Sequence, residues 1–251
     1  VLSNLITALA VGILATMNAG RTARERARAE LTREITDAAR RQLAEAGADG
    51  LSLRAVAREL GMVSSALYRY FPSRDDLLTA LIIDTYDALG EVVEQAAAAH
   101  DPAAALDRWL AVCHAAHAWA VDHVQEYALV YGSPVPGYRA PTDTTAAAAR
   151  VPNALLAIVR EAKAAGVLEP PRASITLPSS LNSNLSAIRE EAALEVADDV
   201  VARLVTAWTL LVGSISFELF GHLHNVIGDY EAWFDHEMRS VADDVGLRSR
   251  T

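Results

Sequence analysis

Cysteine, turn-forming residues and positive charge are all scarce in this chain of 251 residues. The single cysteine, Cys113, excludes an internal disulfide and fits a reducing, cytoplasmic setting. With 13 glycines, 9 prolines and 52% apolar residues, wholesale disorder is excluded as well. No glycine-rich phosphate loop, serine elbow or paired-carboxylate motif is present, so the usual signatures of nucleotide-dependent and hydrolytic chemistry are missing. No cofactor or metal is expected, and no internal repeat is visible. What dominates instead is alanine and leucine, while valine and isoleucine rarely alternate with polar residues. That pattern predicts an all-α fold.

The net charge of −10 looks wrong for a partner of nucleic acid, but it is unevenly spread. Residues 21–80 hold eleven arginines and nine acids, which gives +2 there and leaves −12 on the remainder. A mildly basic head on an acidic body confines attraction for phosphate to the head.

The stretch from Leu51 to Leu78, LSLRAVARELGMVSSALYRYFPSRDDLL, carries most of the information. Leu53, Val56, Ala57 and Leu60 recur at helical spacing, and Gly61 stands where a helix C-terminus wants positive φ. Ala66, Leu67 and Tyr70 give a second helix a small apolar face that Phe71-Pro72 stops. Ser73 with Asp76 reads as a capping box opening a third helix. Two helices around a tight glycine turn form a helix-turn-helix. With Ala66 and Leu67 packed inward, Ser64, Ser65, Tyr68 and Arg69 stay exposed. Short hydroxyls let a helix enter a major groove closely, and Tyr and Arg reach phosphates. Arg54, Tyr70 and Arg74 are expected as further phosphate contacts. A helical hairpin with a solvated face has the same pattern, so the residues alone leave both readings open.

The order L-x-x-V-A-x-E-L-G, then A-L-Y-x-Y-F, then S-R-D-D-L-L resembles the DNA-binding domain of TetR-like transcriptional regulators. One departure is Val63, where that family has Ser or Thr capping the recognition helix. Ser64 is expected to take the cap, starting the helix a residue late. YALVYGSPVPGY and WTLLVGSISFELFGHL followed by WFDHEMRSVADDVGL also resemble effector domains of one subgroup, so the likeness covers most of residues 25–247. The resemblance implies a three-helix head followed by an antiparallel helical body that dimerises through its last two long helices. It also implies a small-molecule cavity among the middle helices.

Taken in order, the uncharged run 1–17 is shorter than the roughly 20 residues a bilayer span needs and lacks the basic start of a signal peptide. Residues 1–20 are expected to be disordered or a non-native extension, and no membrane partner is expected. The basic stretch 21–28 should begin extended, as a DNA-contacting arm or as a solvated helix start. A helix should follow with Leu31, Ile35, Ala38, Ala39 and Leu43 on one face. The head is assigned to 21–74 and the ligand-binding and dimerisation body to 75–251. Within the body, helices are expected over 75–99, up to Asp122, over 126–131, for about twenty residues from Asp143 (ended at Gly166), over 192–220 and over 231–245. The segment 169–186, rich in Pro, Ser and Asn, reads as a loop.

The aromatics of the body suit either a packed core or a ligand pocket. The resemblance favours a pocket, lined by Trp109, Cys113, His117, Tyr127, Tyr131, Trp208 and Phe217. Apolar stripes on the last two helices, through Val200, Leu204, Leu211, Ile215, Phe234, Met238 and Val241, look too rich for a free surface and are expected at a twofold interface. His114 with His117 and His222 with His224 lack supporting ligand spacing for a metal. The expected function is a sequence-specific repressor of operator DNA, homodimeric and released by a small, largely apolar effector. The alternatives are a helical interaction module or a metal-dependent helical enzyme.

Overall fold

The computed structural model describes residues 2–173 and 175–248, with side chains from residue 24 onward. Among the described residues eleven α-helices follow one another: α1 (Leu2–Ala46), α2 (Leu53–Glu59), α3 (Ser64–Leu67), α4 (Arg74–Ala98), α5 (Ala105–Asp122), α6 (Val124–Tyr131), α7 (Thr145–Ala148), α8 (Arg150–Ala164), α9 (Asn182–Glu191), α10 (Asp198–Leu219) and α11 (Tyr230–Val245). Among the described residues there is no strand, so the all-α expectation stands. Contacts divide the chain into two compact units, one ending at Leu81 and the other beginning at Ile82, so that α4 is shared between them.

In the first unit, α1 presents Ile35, Ala38, Ala39 and Leu43 to a core shared with Val56, Ala57, Leu67, Leu77 and Leu78. Residues 2–20, expected to be disordered or a non-native extension, form the first part of α1, and their side chains lie outside the described residues. The stretch 21–28, expected to begin extended, is helical instead, because Ala, Arg and Glu are strong helix formers with no breaker among them. Helix α2 ends in a Schellman motif: Met62 N–H reaches the Ala57 carbonyl at 2.8 Å and Gly61 N–H the Arg58 carbonyl at 3.2 Å. Gly61 takes the φ of +65° this requires. Ser73 Oγ accepts from the Asp76 N–H at 3.1 Å and donates to the Asp76 carboxylate at 2.7 Å, fixing the start of α4.

The second unit is built around α5, whose Trp109, Val112, Cys113 and Ala120 are fully enclosed by α8, α10 and α11. Helix α10 is long and apolar enough by composition to cross a membrane, yet one face of it is core against α5, α8, α9 and α11. Arg150 at the head of α8 ties that helix to α4. Its guanidinium pairs with Glu94 at 2.6 Å and with Asp87 at 2.9 Å. Gly90 lies beneath it, where an added Cβ would meet Arg150 Cβ and Cδ at 2.8 Å.

Three segments depart from expectation. The helix foreseen from Asp143 is broken into a 3₁₀ turn (Thr142–Thr144), α7 and α8. Pro152 explains the break: inside a continuous helix it would clash with the Ala148 carbonyl, whereas in the first turn of α8 its missing N–H costs nothing. The loop foreseen over 169–186 gives way to α9 from Asn182. The helix foreseen from residue 192 starts only at Asp198, because α9 ends in a second Schellman motif at Ala193, with φ +50°. There Leu194 N–H reaches the Arg189 carbonyl at 2.9 Å, and Leu194 is buried.

Candidate nucleic-acid interface and effector cavity

The reading face in the first unit follows from the burial of Leu67. With that side chain wholly enclosed, the four-residue helix α3 and the turn after it leave Ser65, Tyr68 and Arg69 exposed, as is Arg54 on α2. Ser64 and Tyr70 are half-buried, and the Arg28 guanidinium lies 5.2 Å from the centre of the Tyr70 ring. Arg28 therefore joins the same neighbourhood from α1, a placement that its position in the basic stretch did not reveal. Two expectations change. Helix α3 starts at Ser64 with Val63 itself in the cap position, making no side-chain hydrogen bond, so the helix is not delayed by a residue. Arg74 turns inward to the chain: its Nη2 donates to the Ala48 carbonyl at 2.6 Å and its Nε to the Leu51 carbonyl at 3.2 Å. Two of its donors are spent on bracing the loop before α2, which suits a structural tie better than a phosphate contact.

The residues foreseen as one pocket in the second unit are dispersed. Trp109 is fully buried and donates from Nε1 to the Met238 carbonyl at 3.2 Å, so it is core. Cys113 is core too, and burial pushes its thiol well above the usual range. Tyr127 is buried and donates to the Val212 carbonyl at 2.8 Å, with its pKa pushed up to about 12 by burial. His117 meets Glu218 at 2.6 Å and lies against Phe234, and His114 meets Asp235 at 3.0 Å. Phe217 is 53% exposed, on the far side of α10 from the core stripe. Tyr131 and Trp208 come together on one cavity.

Trp208 borders two adjoining spaces. One, of about 830 Å³, lies among α8, α9 and α10, with Leu155, Leu156 and Leu204 below and Glu94, Arg150 and Arg160 at its margin. The other, of about 580 Å³, is lined by Tyr86, Val130, Tyr131, Pro152, Trp208 and Val212. Thr145, Ala149 and Pro152 also border both.

The twofold interface also needs correction. Val200, Leu204, Leu211, Ile215, Phe234, Met238 and Val241 are all buried within the single chain. The stripe is real, but α10 and α11 use it against α5 and α8, so it is unavailable to a partner.

Comparison with known proteins agrees with this geometry. Residues 35–81 match the model for bacterial regulatory proteins of the tetR family, and residues 109–241 match that for the tetracyclin repressor-like C-terminal domain. The chain is 40% identical over 222 residues to the HTH-type transcriptional regulator Rv1816 of Mycobacterium tuberculosis, covering 86% of this chain and 92% of that one. The crystal structure of SCO4313 superposes with a TM-score of 0.68 at 36% identity, over 86% of this chain and 97% of that chain. The TetR family transcriptional regulator PfmR from Thermus thermophilus shares the fold at 18% identity, with a TM-score of 0.52 over 86% of this chain and 99% of that chain. A helix-turn-helix unit with an exposed polar reading helix, an all-helical second unit and matches along most of the chain lead to one conclusion: the protein belongs to the TetR family of transcriptional regulators.

Proposed function

We propose that the protein is a repressor that binds operator DNA as a homodimer and leaves it when a small, largely apolar molecule enters the second unit. The observation that carries the DNA half is the outward face of α3 and the turn after it, where Ser65, Tyr68 and Arg69 stand clear of buried Leu67. Short hydroxyls allow close approach to base edges, while Arg69, Arg54 and the Tyr68 hydroxyl reach phosphates.

The dimer half now rests on a different face of the same helix. Val205, Thr209, Gly213 and Phe217 line a groove of about 460 Å³ on α10 together with Trp233 of α11. Phe217, Val205 and Trp233 are large apolar groups left at the surface, and a Cβ added to Gly213 would meet nothing. A second copy covering this face would pair two reading heads on half-sites about one helical turn, or a multiple, apart. The effector half rests on the spaces beside Trp208 and not on Trp109, and their volumes are those of ordinary ligand cavities. A ligand can shift the protein off DNA only by its differential affinity for the two states.

The test is a mobility-shift titration of duplexes from the chain's own promoter region. Wild type should select one of them, Ser65→Ala should change base preference, and Arg69→Ala should weaken all duplexes alike. If no duplex shifts, or neither substitution alters binding, the reading falls.

A further inference from the structure

We infer that Val63 reads a base: its side chain packs on the C5-methyl group of a thymine in the operator and so fixes that position of the sequence. This rests on the DNA-binding reading above and deepens it from a reading face to a preferred base. In the first unit, Val63 and Tyr68 are the large apolar side chains left exposed among the described residues, at 71% and 41%. They stand immediately before and after α3. The other described leucine, isoleucine, valine and phenylalanine side chains of that unit are buried or half-buried. Apolar exposure in the head is therefore confined to its reading helix.

A single exposed valine is ordinary on a protein surface. The position of this one makes it costly. Branched hydrocarbons are among the poorest residues at a helix N-cap, since they offer no acceptor to the free N–H groups of the first turn. Val63 occupies that position with an extended backbone and no side-chain hydrogen bond. With most of its surface open, it adds little burial either. It gives the folded chain neither a cap nor a core contact, and what it can contribute lies outside the chain.

The chemistry of a major groove names the partner. Base edges present hydrogen-bond donors and acceptors there, and one apolar group, the thymine methyl. Phosphate oxygens are no partner for Val63, whose side chain has no donor, whereas Ser65, Tyr68 and Arg69 each have one. Over a G·C pair the branched side chain would cover polar edges and pair with none of them. Over thymine, hydrocarbon meets hydrocarbon and both leave water. The two residues that follow, Ser64 and Ser65, are short, so no bulky neighbour holds Val63 away from a groove floor. In helix-turn-helix proteins the leading residues of the reading helix are the ones that meet base edges.

The test uses the full chain and the promoter-region duplex that it selects, with each thymine replaced in turn by deoxyuridine. That exchange removes the methyl and leaves every hydrogen-bonding group of the base in place. At one thymine or more the wild type should lose about fourfold in affinity, the effect of burying one methyl-sized group. Val63→Ser and Val63→Gly should bind the thymine and uracil forms of that position alike. Both substitutes are accepted at an N-cap, and Val63→Ser should melt higher than wild type, so a lost preference is not a lost fold. The inference is overturned if no uracil replacement weakens the wild type, or if the sensitive thymine stays as sensitive in either variant. If no duplex is selected at all, the DNA-binding reading falls and this inference with it. Selection of a duplex that is indifferent to all its thymine methyls removes this inference alone.

Discussion

Val63 caps α3 with a branched hydrocarbon that accepts nothing from the helix's free N–H groups, and it is 71% exposed. Val63→Ser should supply the missing acceptor and raise stability by about 0.5–2 kcal/mol, read as a shift in the urea midpoint. The two arginines at either end of the stretch divide in role. Arg69 is exposed, so Arg69→Ala should leave melting unchanged and lower the salt slope of DNA binding by about one. Arg74 braces two carbonyls, so Arg74→Ala should lower stability by about 1–3 kcal/mol, seen by melting in the absence of DNA. Equal melting for the two variants would contradict this division. The difference was not legible in the sequence, because Arg74's partners are main-chain oxygens more than twenty residues back, which no side-chain pattern betrays.

Among the helices, those with strong periodicity and explicit breakers were legible to within a few residues. Helix α4 follows its Ser73 cap, α5 ends at Asp122, and α11 follows its Asp229 cap, whose side chain accepts from Ala232 N–H at 3.0 Å. Helix α9 was missed because its C-terminus uses Ala193 at positive φ where glycine is the usual signal, held there by the burial of Leu194. The stripe on α10 was seen correctly as too apolar for solvent, but periodicity cannot say whether a stripe meets its own chain or a copy. Leu211→Asp should therefore unfold the second unit, since it places an unpaired charge in the core. Phe217→Glu should instead leave a folded monomer. Circular dichroism and sedimentation separate the two outcomes, and a folded, monomeric Leu211→Asp would restore the original interface.

Over the whole molecule, acidity and ligand linkage give two further expectations. Glu94 beside Arg150, Asp235 beside Arg239 and Asp243 between Arg172 and Arg248 are all held below the usual carboxylate range. Each binds its proton less readily folded than unfolded, so its contribution is complete above the ordinary value near 4. It is lost as the pH falls through the depressed one. Urea midpoints should thus be level from pH 7 to about 5 and decline below about 4 as these carboxylates protonate. A decline setting in near neutrality would contradict this assignment. Effector and operator must also weaken one another by the same factor, about 5- to 150-fold for an ordinary coupling, when each affinity is measured with and without the other.

The Arg150 side chain lies directly over the bare backbone at Gly90, where an added Cβ would meet its Cβ and Cδ at 2.8 Å. In a machine this would be a pin in its socket: Arg150, held by Asp87 at 2.9 Å and Glu94 at 2.6 Å, links the travel of α8 to that of α4. Gly90→Ala would force a shim into that joint and push the Arg150 side chain off its seat. Effector binding should then survive while its effect on operator affinity shrinks, which would make residue 90 a setting for signal gain and leave sensitivity to other parts of the chain.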